Sequence, residues 1–217
     1  MPCNHKFQDY LNLENLSFEP TTLIIGTFNP SWPEGNNAEW FYGRTHDEFG
    51  NQNNNFWDVL PRVYGEPSLI NATPLEWKQF CERRRIAITD LISTIDDANQ
   101  DNNNHVNLMR GFADDDIASN FFDFELVNIV RLLRNYPTIV NIYITRGISE
   151  AFWRNKLYSV KNYCAANTLI LKSVITPSGF AYLQQGRYNN QNPDNRLNLP
   201  DYILMRWQEQ WHFQQQN

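Results

Sequence analysis

Apolar positions in this chain fall into short continuous runs separated by stretches with helical spacing. The strongest run, Leu23, Ile24 and Ile25, closes on the small Gly26 and breaks at once into Thr27-Phe28-Asn29-Pro30-Ser31. A continuous apolar run of strand length suits the centre of a parallel sheet covered on both faces. Similar runs recur at residues 86–90, 138–145 and 168–174. Between them, residues 50–65 read as an aromatic helix that Pro61 should kink or shorten. Thr73-Pro74-Leu75-Glu76 opens a second helix reaching about Arg84, with Thr as cap, Pro in the first turn and Glu completing a capping box. Asp123 is placed to cap a third helix over residues 124–136, with Leu126, Ile129, Val130 and Leu133 on one face and Pro137 ending it. Residues 148–156 and 200–213 complete the helices, and the Gln-rich tail should fray. Residues 93–116, rich in Asn and Asp, read as an irregular excursion. Strands separated by helices predict an α/β fold: a three-layer αβα sandwich around a central, mainly parallel four-stranded sheet. A single domain over residues 1–217 is expected, with residues 1–20 as an N-terminal extension.

In open α/β sheets the carboxyl ends of the strands face the ligand crevice. Asn29 stands at such an end, and Pro30 fixes the turn that presents it. Ordinary turn chemistry would use the same residues. With 217 residues, 41% hydrophobic and 14% aromatic, the chain can bury a substantial core. No apolar run approaches the roughly 20 residues of a membrane span, and the first residues lack a secretory pattern. Cys3, Cys81 and Cys164 are far apart, which fits reduced structural thiols and a cytoplasmic protein. The four histidines make no metal-ligand spacing, so neither metal nor cofactor is expected. A formal net charge of −6 counts against nonspecific nucleic-acid binding by the whole surface. Arg83-Arg84-Arg85, Arg131, Arg134, Arg187 and Arg196 could still form a local basic surface, since Asp96, Asp97, Asp101 and residues 114–116 carry much of the negative charge.

In this order the motifs resemble the uracil-DNA glycosylase superfamily, and most of all its mismatch-specific thymine/uracil branch. Gly26-Thr27-Phe28-Asn29-Pro30-Ser31 is similar to that branch's Gly-Ile-Asn-Pro-Gly motif, one residue longer before Asn-Pro. Trp40-Phe41-Tyr42 and Asn54-Asn55-Phe56-Trp57 resemble its aromatic residue followed by Asn-Arg-Phe-Trp. Residues 86–91 are similar to its middle strand, and Thr176-Pro177-Ser178-Gly179-Phe180 resembles its late Asn-Pro-Ser-Gly-Leu loop. The resemblance covers residues 20–212 and implies a monofunctional DNA glycosylase that leaves an abasic site. By the same resemblance Asn29 and Thr176 are the catalytic candidates. Thr27, Phe28, Phe41, Tyr42 and Asn55 would bind the base. Ser31, Ser178, Gly179, Phe180, Tyr182 and Arg187 would contact DNA, double- or single-stranded, with the protein acting as a monomer. Two departures bear on the substrate. Thr176 stands where the family offers Asn or His to the leaving base. Residues 43–54 form a longer, amide-rich segment, which would admit a bulky or sugar-decorated pyrimidine as in phage-defence relatives, although an Asn run is also ordinary polar loop.

The chemistry suits these residue types. N-glycosidic cleavage passes through an oxocarbenium-like sugar, and a neutral amide serves it by holding water against the anomeric carbon. Backbone N–H groups around residues 27–31 and the Thr176 hydroxyl would meet the charge on the departing base. Phe41 or Tyr42 would stack on the flipped base, and Phe180 would fill the gap as a wedge. Phe56 and Trp57 read as core. Lys172 precedes the late loop within a strand, so no Schiff-base lyase step is expected. Three other classes stay open: a nucleotide- or sugar-binding module, for which no phosphate loop is present; a small-molecule hydrolase using Asp90 and Asn29; and a noncatalytic DNA or protein binder that kept the glycosylase fold.

Overall fold

The computed structural model describes residues 1–32, 36–47, 49–111 and 113–212. Its centre is a four-stranded, wholly parallel sheet, the core of the expected αβα sandwich. The strands are numbered along the chain. Strand β1 is Cys3–Asn4, β2 is Thr22–Gly26, β3 is Ile86–Asp90 and β4 is Ile92–Ile95; β5 is Phe124–Leu126, β6 is Asn141–Ile144 and β7 is Ile170–Ser173. The parallel sheet has the order β3-β2-β6-β7. Leu23, Ile24 and Ile25 are fully buried at its centre, each stabilising the fold by about 1.5–3 kcal/mol. Register pairs Gly26 with Asp90 on one side and Ile25 with Ile144 on the other. Asp90 and Thr145, the residue after β6, therefore flank the end of β2.

A second sheet, β1-β4-β5, is antiparallel and was not expected. It changes the reading of both polar segments. Residues 1–20 supply β1 and a short helix α1, Gln8–Leu11. Residues 93–116 hold most of β4, then helix α4, Asn103–Gly111, and the first turn of α5, Asp114–Asn120. The helix expected over 124–136 is split. Residues 124–126 pair with β4 instead, and Asn128 rather than Asp123 caps the shorter helix α6, Ile129–Asn135, by accepting from the Arg131 N–H.

Three further helices follow the sequence signals, the first of them starting at Phe56 rather than at residue 50. Helix α2, Phe56–Val63, ends two residues after Pro61. The Trp57 carbonyl, which Pro61 cannot serve, accepts the Leu69 N–H at 2.8 Å instead. Helix α3, Pro74–Arg84, carries the complete capping box of Thr73 and Glu76. Helix α10, Leu199–Gln210, is capped by Asn198 and stops short of the expected residue 213, because the backbone of Trp211 is already extended. Helix α7, Ala151–Lys156, is followed by two helices the sequence did not signal: α8, Tyr158–Ala166, and α9, Tyr182–Gln191. The aromatic content is spent on stacking in the core. Tyr42 lies on Phe56 at 3.8 Å, Trp57 on Trp77 at 5.1 Å and Tyr143 on Trp211 at 3.9 Å. Phe56 and Trp57 are fully buried, as expected.

Candidate active-site crevice

The loop after β2 is held from both sides. Lys6 donates its backbone N–H to the Asn29 carbonyl at 2.7 Å, and the Ser31 N–H donates to the Asn4 carbonyl at 2.8 Å. The N-terminal segment thus runs along the Asn29-Pro30 turn, and the Lys6 ammonium donates to the Asn36 carbonyl. Asn36, itself buried, donates Nδ2 to Asn29 Oδ1 and to the Pro30 carbonyl, each at 2.6 Å, while its Oδ1 accepts from the Ala38 N–H. That pattern orients both amides. Asn29 points Oδ1 at Asn36 with one lone pair left over, and its Nδ2 has no acceptor among the described residues. The backbone N–H groups of Phe28 and Asn29 also donate to no described residue. With that of Thr27, which likewise donates to no described residue, they are the free donors of this loop, because Pro30 has none and that of Ser31 is taken.

Beside the loop lies a cluster of acids that long-range contacts assemble. Asp90, 6% exposed, accepts from His5 Nε2 at 2.7 Å. His5 Nδ1 accepts the Phe7 N–H at 2.9 Å, so the ring proton sits on Nε2. Tyr42, in the left-handed region at φ 56°, places its hydroxyl 2.8 Å from Thr145 Oγ1. Burial, then the charge of Asp90, pushes the Tyr42 phenol well above its usual range. Gly26 makes this convergence possible. A Cβ there would stand 2.1 Å from Asp90 Oδ1 and 2.6 Å from Tyr42 Oη. Asp114, from the first turn of α5, accepts from Thr27 Oγ1 at 2.9 Å and from Arg146 Nη1 at 2.7 Å. Burial raises its carboxyl to about 6, against the opposing pull of Arg146. Arg146 in turn lies 3.7 Å over the Trp153 ring. Among the described residues, no group of three or more His, Cys, Asp or Glu side chains could hold a metal ion.

The far rim is the loop after β7. All four strands are parallel, so this loop leaves from the same end as Asn29, two strand spacings or about 10 Å from β2. Asn55 holds it. Both its backbone N–H (2.7 Å) and its Nδ2 (2.9 Å) donate to the Pro177 carbonyl, and its Oδ1 accepts from Gln52 at 2.6 Å. Thr176 Oγ1 and Ser178 Oγ bond each other at 2.9 Å. Gly179 opens a short 3-10 turn, and beyond it Phe180, Tyr182 and Leu183 are 67%, 60% and 77% exposed. Arg187 is exposed on α9.

The sequence-predicted residues therefore divide. Thr27, Phe28, Asn29 and Tyr42 gather at the end of β2; Ser31 is exposed at the outer end of that loop. Thr176, Ser178, Gly179, Phe180, Tyr182 and Arg187 lie along the opposite rim. Phe41 is 1% exposed and packs among His5, Phe7 and Trp40, and Asn55 spends its amide on the loop. The half-buried Phe28, edge-on to His5 at 5.7 Å, is the ring nearest the loop's free donors. The arginine surface does not form as one patch. Arg83 and Arg84 pair with Glu66, and Arg85 precedes β3, at the opposite end of the sheet. His5, Lys6, Asn36 and Asp114 carried no sequence signal, and only Asp90, at a strand end, was visible. Two concavities lie elsewhere: about 150 Å³ lined by Tyr10, Lys78 and Cys81, and about 500 Å³ lined by Tyr188, Arg196 and Asp201. Neither reaches Gly26, Asn29 or Asp90.

Comparison with known proteins bears on the fold. No protein-family model matches the chain, and no curated protein does. Among solved structures it is similar to the NMR structure of a "putative Uracil DNA glycosylase" from Methanosarcina acetivorans. The two are 15% identical with a TM-score of 0.51, over 91% of this chain and 94% of that one. The likeness spans nearly both chains, so the whole layered architecture is shared.

Proposed function

We propose that this protein is a monofunctional DNA glycosylase that hydrolyses the N-glycosidic bond of a flipped pyrimidine and leaves an abasic site. The observation that carries the reading is the pairing of two rims at one end of the sheet. One is a clamped Asn29 with free backbone donors; the other is an exposed aromatic edge at Phe180 and Tyr182. The shared fold with the archaeal protein supports it. Asn29 uses its remaining carbonyl lone pair to hold a water against the anomeric carbon. The Phe28 and Asn29 N–H groups, with the Thr176 hydroxyl, meet the charge on the leaving base. Phe28 and Tyr42 border the base, and Phe180 enters the vacated stack with Ser178, Gly179, Tyr182 and Arg187 along the backbone. No helix among the described residues is long and apolar enough to cross a membrane, and three free, buried cysteines support a reducing cytoplasm. The protein acts as a monomer on double- or single-stranded DNA. Its target is one of two alternatives, a 4-oxo base (uracil or mismatched thymine) in repair, or a bulky modified cytosine, glucosylated ones included, in phage defence.

The test is alkali cleavage after incubation of duplexes carrying uracil, thymine mismatches, hypoxanthine and hypermodified cytosines. At least one should yield abasic sites, with EDTA making no difference. Asn29→Ala should slow single-turnover cleavage about a hundredfold while binding to an uncleavable analogue holds within about threefold. DNA binding with no product from any substrate would leave the noncatalytic binder as the reading.

A further inference from the structure

We infer that the crevice selects a base carrying an exocyclic amino group beside an unprotonated ring nitrogen, the edge of a cytosine-type pyrimidine, and that Asp90 reads it. This rests on the reading of the crevice as a base pocket. Asp90 closes β3 and is 6% exposed, with Oδ2 committed to His5 Nε2 at 2.7 Å. Its other oxygen, Oδ1, has no donor among the described residues. It lies over the bare Cα of Gly26, beside the Tyr42 hydroxyl, in the space a side chain at position 26 would fill. A carboxylate only accepts hydrogen bonds. Nearly buried and half-satisfied, it is best completed by an N–H donor. An amino group supplies one, whereas a carbonyl oxygen in the same place would set two acceptors against each other. The Tyr42 hydroxyl, with Thr145 Oγ1 behind it at 2.8 Å, can donate to the neighbouring ring nitrogen.

His5 decides which way this recognition runs. Its ring proton is fixed on Nε2, because Nδ1 receives the Phe7 N–H. In Asp90→Asn the amide oxygen would take the Nε2–H, and the amide nitrogen would turn toward the crevice as a donor. The preference should then reverse toward a 4-oxo base.

Binding separates recognition from chemistry. Single-stranded oligonucleotides carrying 2′-fluoroarabino nucleotides, which resist hydrolysis, would be compared in pairs: cytosine with uracil, 5-hydroxymethylcytosine with 5-hydroxymethyluracil, and adenine with hypoxanthine. The wild-type protein should bind the amino member of the pyrimidine pairs at least about tenfold tighter. The purine pair tests whether the pocket shape restricts this to pyrimidines. Asn29→Ala should keep the preference and Asp90→Asn should abolish or invert it. Equal binding, a 4-oxo preference in the wild type, or a preference unchanged in Asp90→Asn would overturn the inference. Cleavage of the natural-sugar counterparts is scored separately. An amino preference without abasic product would uphold the recognition and remove the glycosylase reading. Product formation with no preference would do the reverse.

Discussion

Gly26→Ala probes the convergence on which the crevice depends. The new Cβ would stand 2.1 Å from Asp90 Oδ1, 3.2 Å from its Cγ and 2.6 Å from Tyr42 Oη. Neither neighbour can retreat freely. Asp90 is tied to a His5 that is itself 2% exposed, and the Tyr42 ring is stacked at 3.8 Å on the fully buried Phe56. Displacing the carboxylate forfeits a charge-assisted hydrogen bond, about 1.5–3 kcal/mol, and strands the His5 donor. Crowding the strand end adds about 1–3 kcal/mol. Together these predict a destabilisation of about 3–5 kcal/mol. Urea unfolding followed by tryptophan fluorescence measures it. With a slope of about 2–3 kcal/mol per molar for a chain of this size, the midpoint should fall by more than about 1 M. Gly147→Ala is the control, because nothing lies within 4 Å of the Cβ it would add; it should stay within about 1 kcal/mol of wild type. If Gly26→Ala unfolds within about 1 kcal/mol of wild type, the carboxylate and the hydroxyl do not share that space, and Asp90 and Tyr42 do not converge on one base edge.

Phe180→Ala should leave stability within about 0.5 kcal/mol, because the ring is 67% exposed. The ratio of turnover on a paired target to that on an unpaired one should fall several-fold, and an unchanged ratio would remove Phe180 from the interface. Asn55→Ala removes the side-chain bond to the Pro177 carbonyl and leaves Gln52 unmet. It should cost about 1–2 kcal/mol in thermal or urea unfolding and weaken DNA binding; full DNA affinity would show that the late loop holds its place without it. Asp114→Asn tests the raised carboxyl. Lifted from 3.8 to about 6, it favours the folded state most below the unfolded value and loses that contribution as pH rises through about 6. The full shift would correspond to about 3 kcal/mol. The side chain is a third exposed, so about 1 kcal/mol is expected. Wild type should therefore lose about that much relative to the variant between pH 4 and pH 7, and parallel stability curves would refute it.

What the amino-acid sequence determined by itself lies where the signal is local. The run from Leu23 to Gly26, with its Asn-Pro turn, needed only apolar continuity and a small residue at the strand end. The capping box at Thr73 and Glu76 is complete within four residues, so it reads correctly before any packing is known. Pro61 shortened its helix for the same reason. The layered fold followed from alternation of such elements. Tertiary structure decided the rest. Residues 124–126 had helical spacing, but pairing with β4 outweighed it, as long-range contacts outweigh weak propensity. Helix α9 buries none of its side chains, so it left no apolar stripe to read. The crevice was least legible of all. Its central contact joins His5 to Asp90 across 85 positions, and Asp114 reaches Thr27 across 87. Neither His5 nor Asp114 belongs to a local pattern. Their chemistry exists because a short antiparallel sheet lays the N-terminus against the Asn29 turn, and the parallel register sets Asp90 opposite a residue with no side chain.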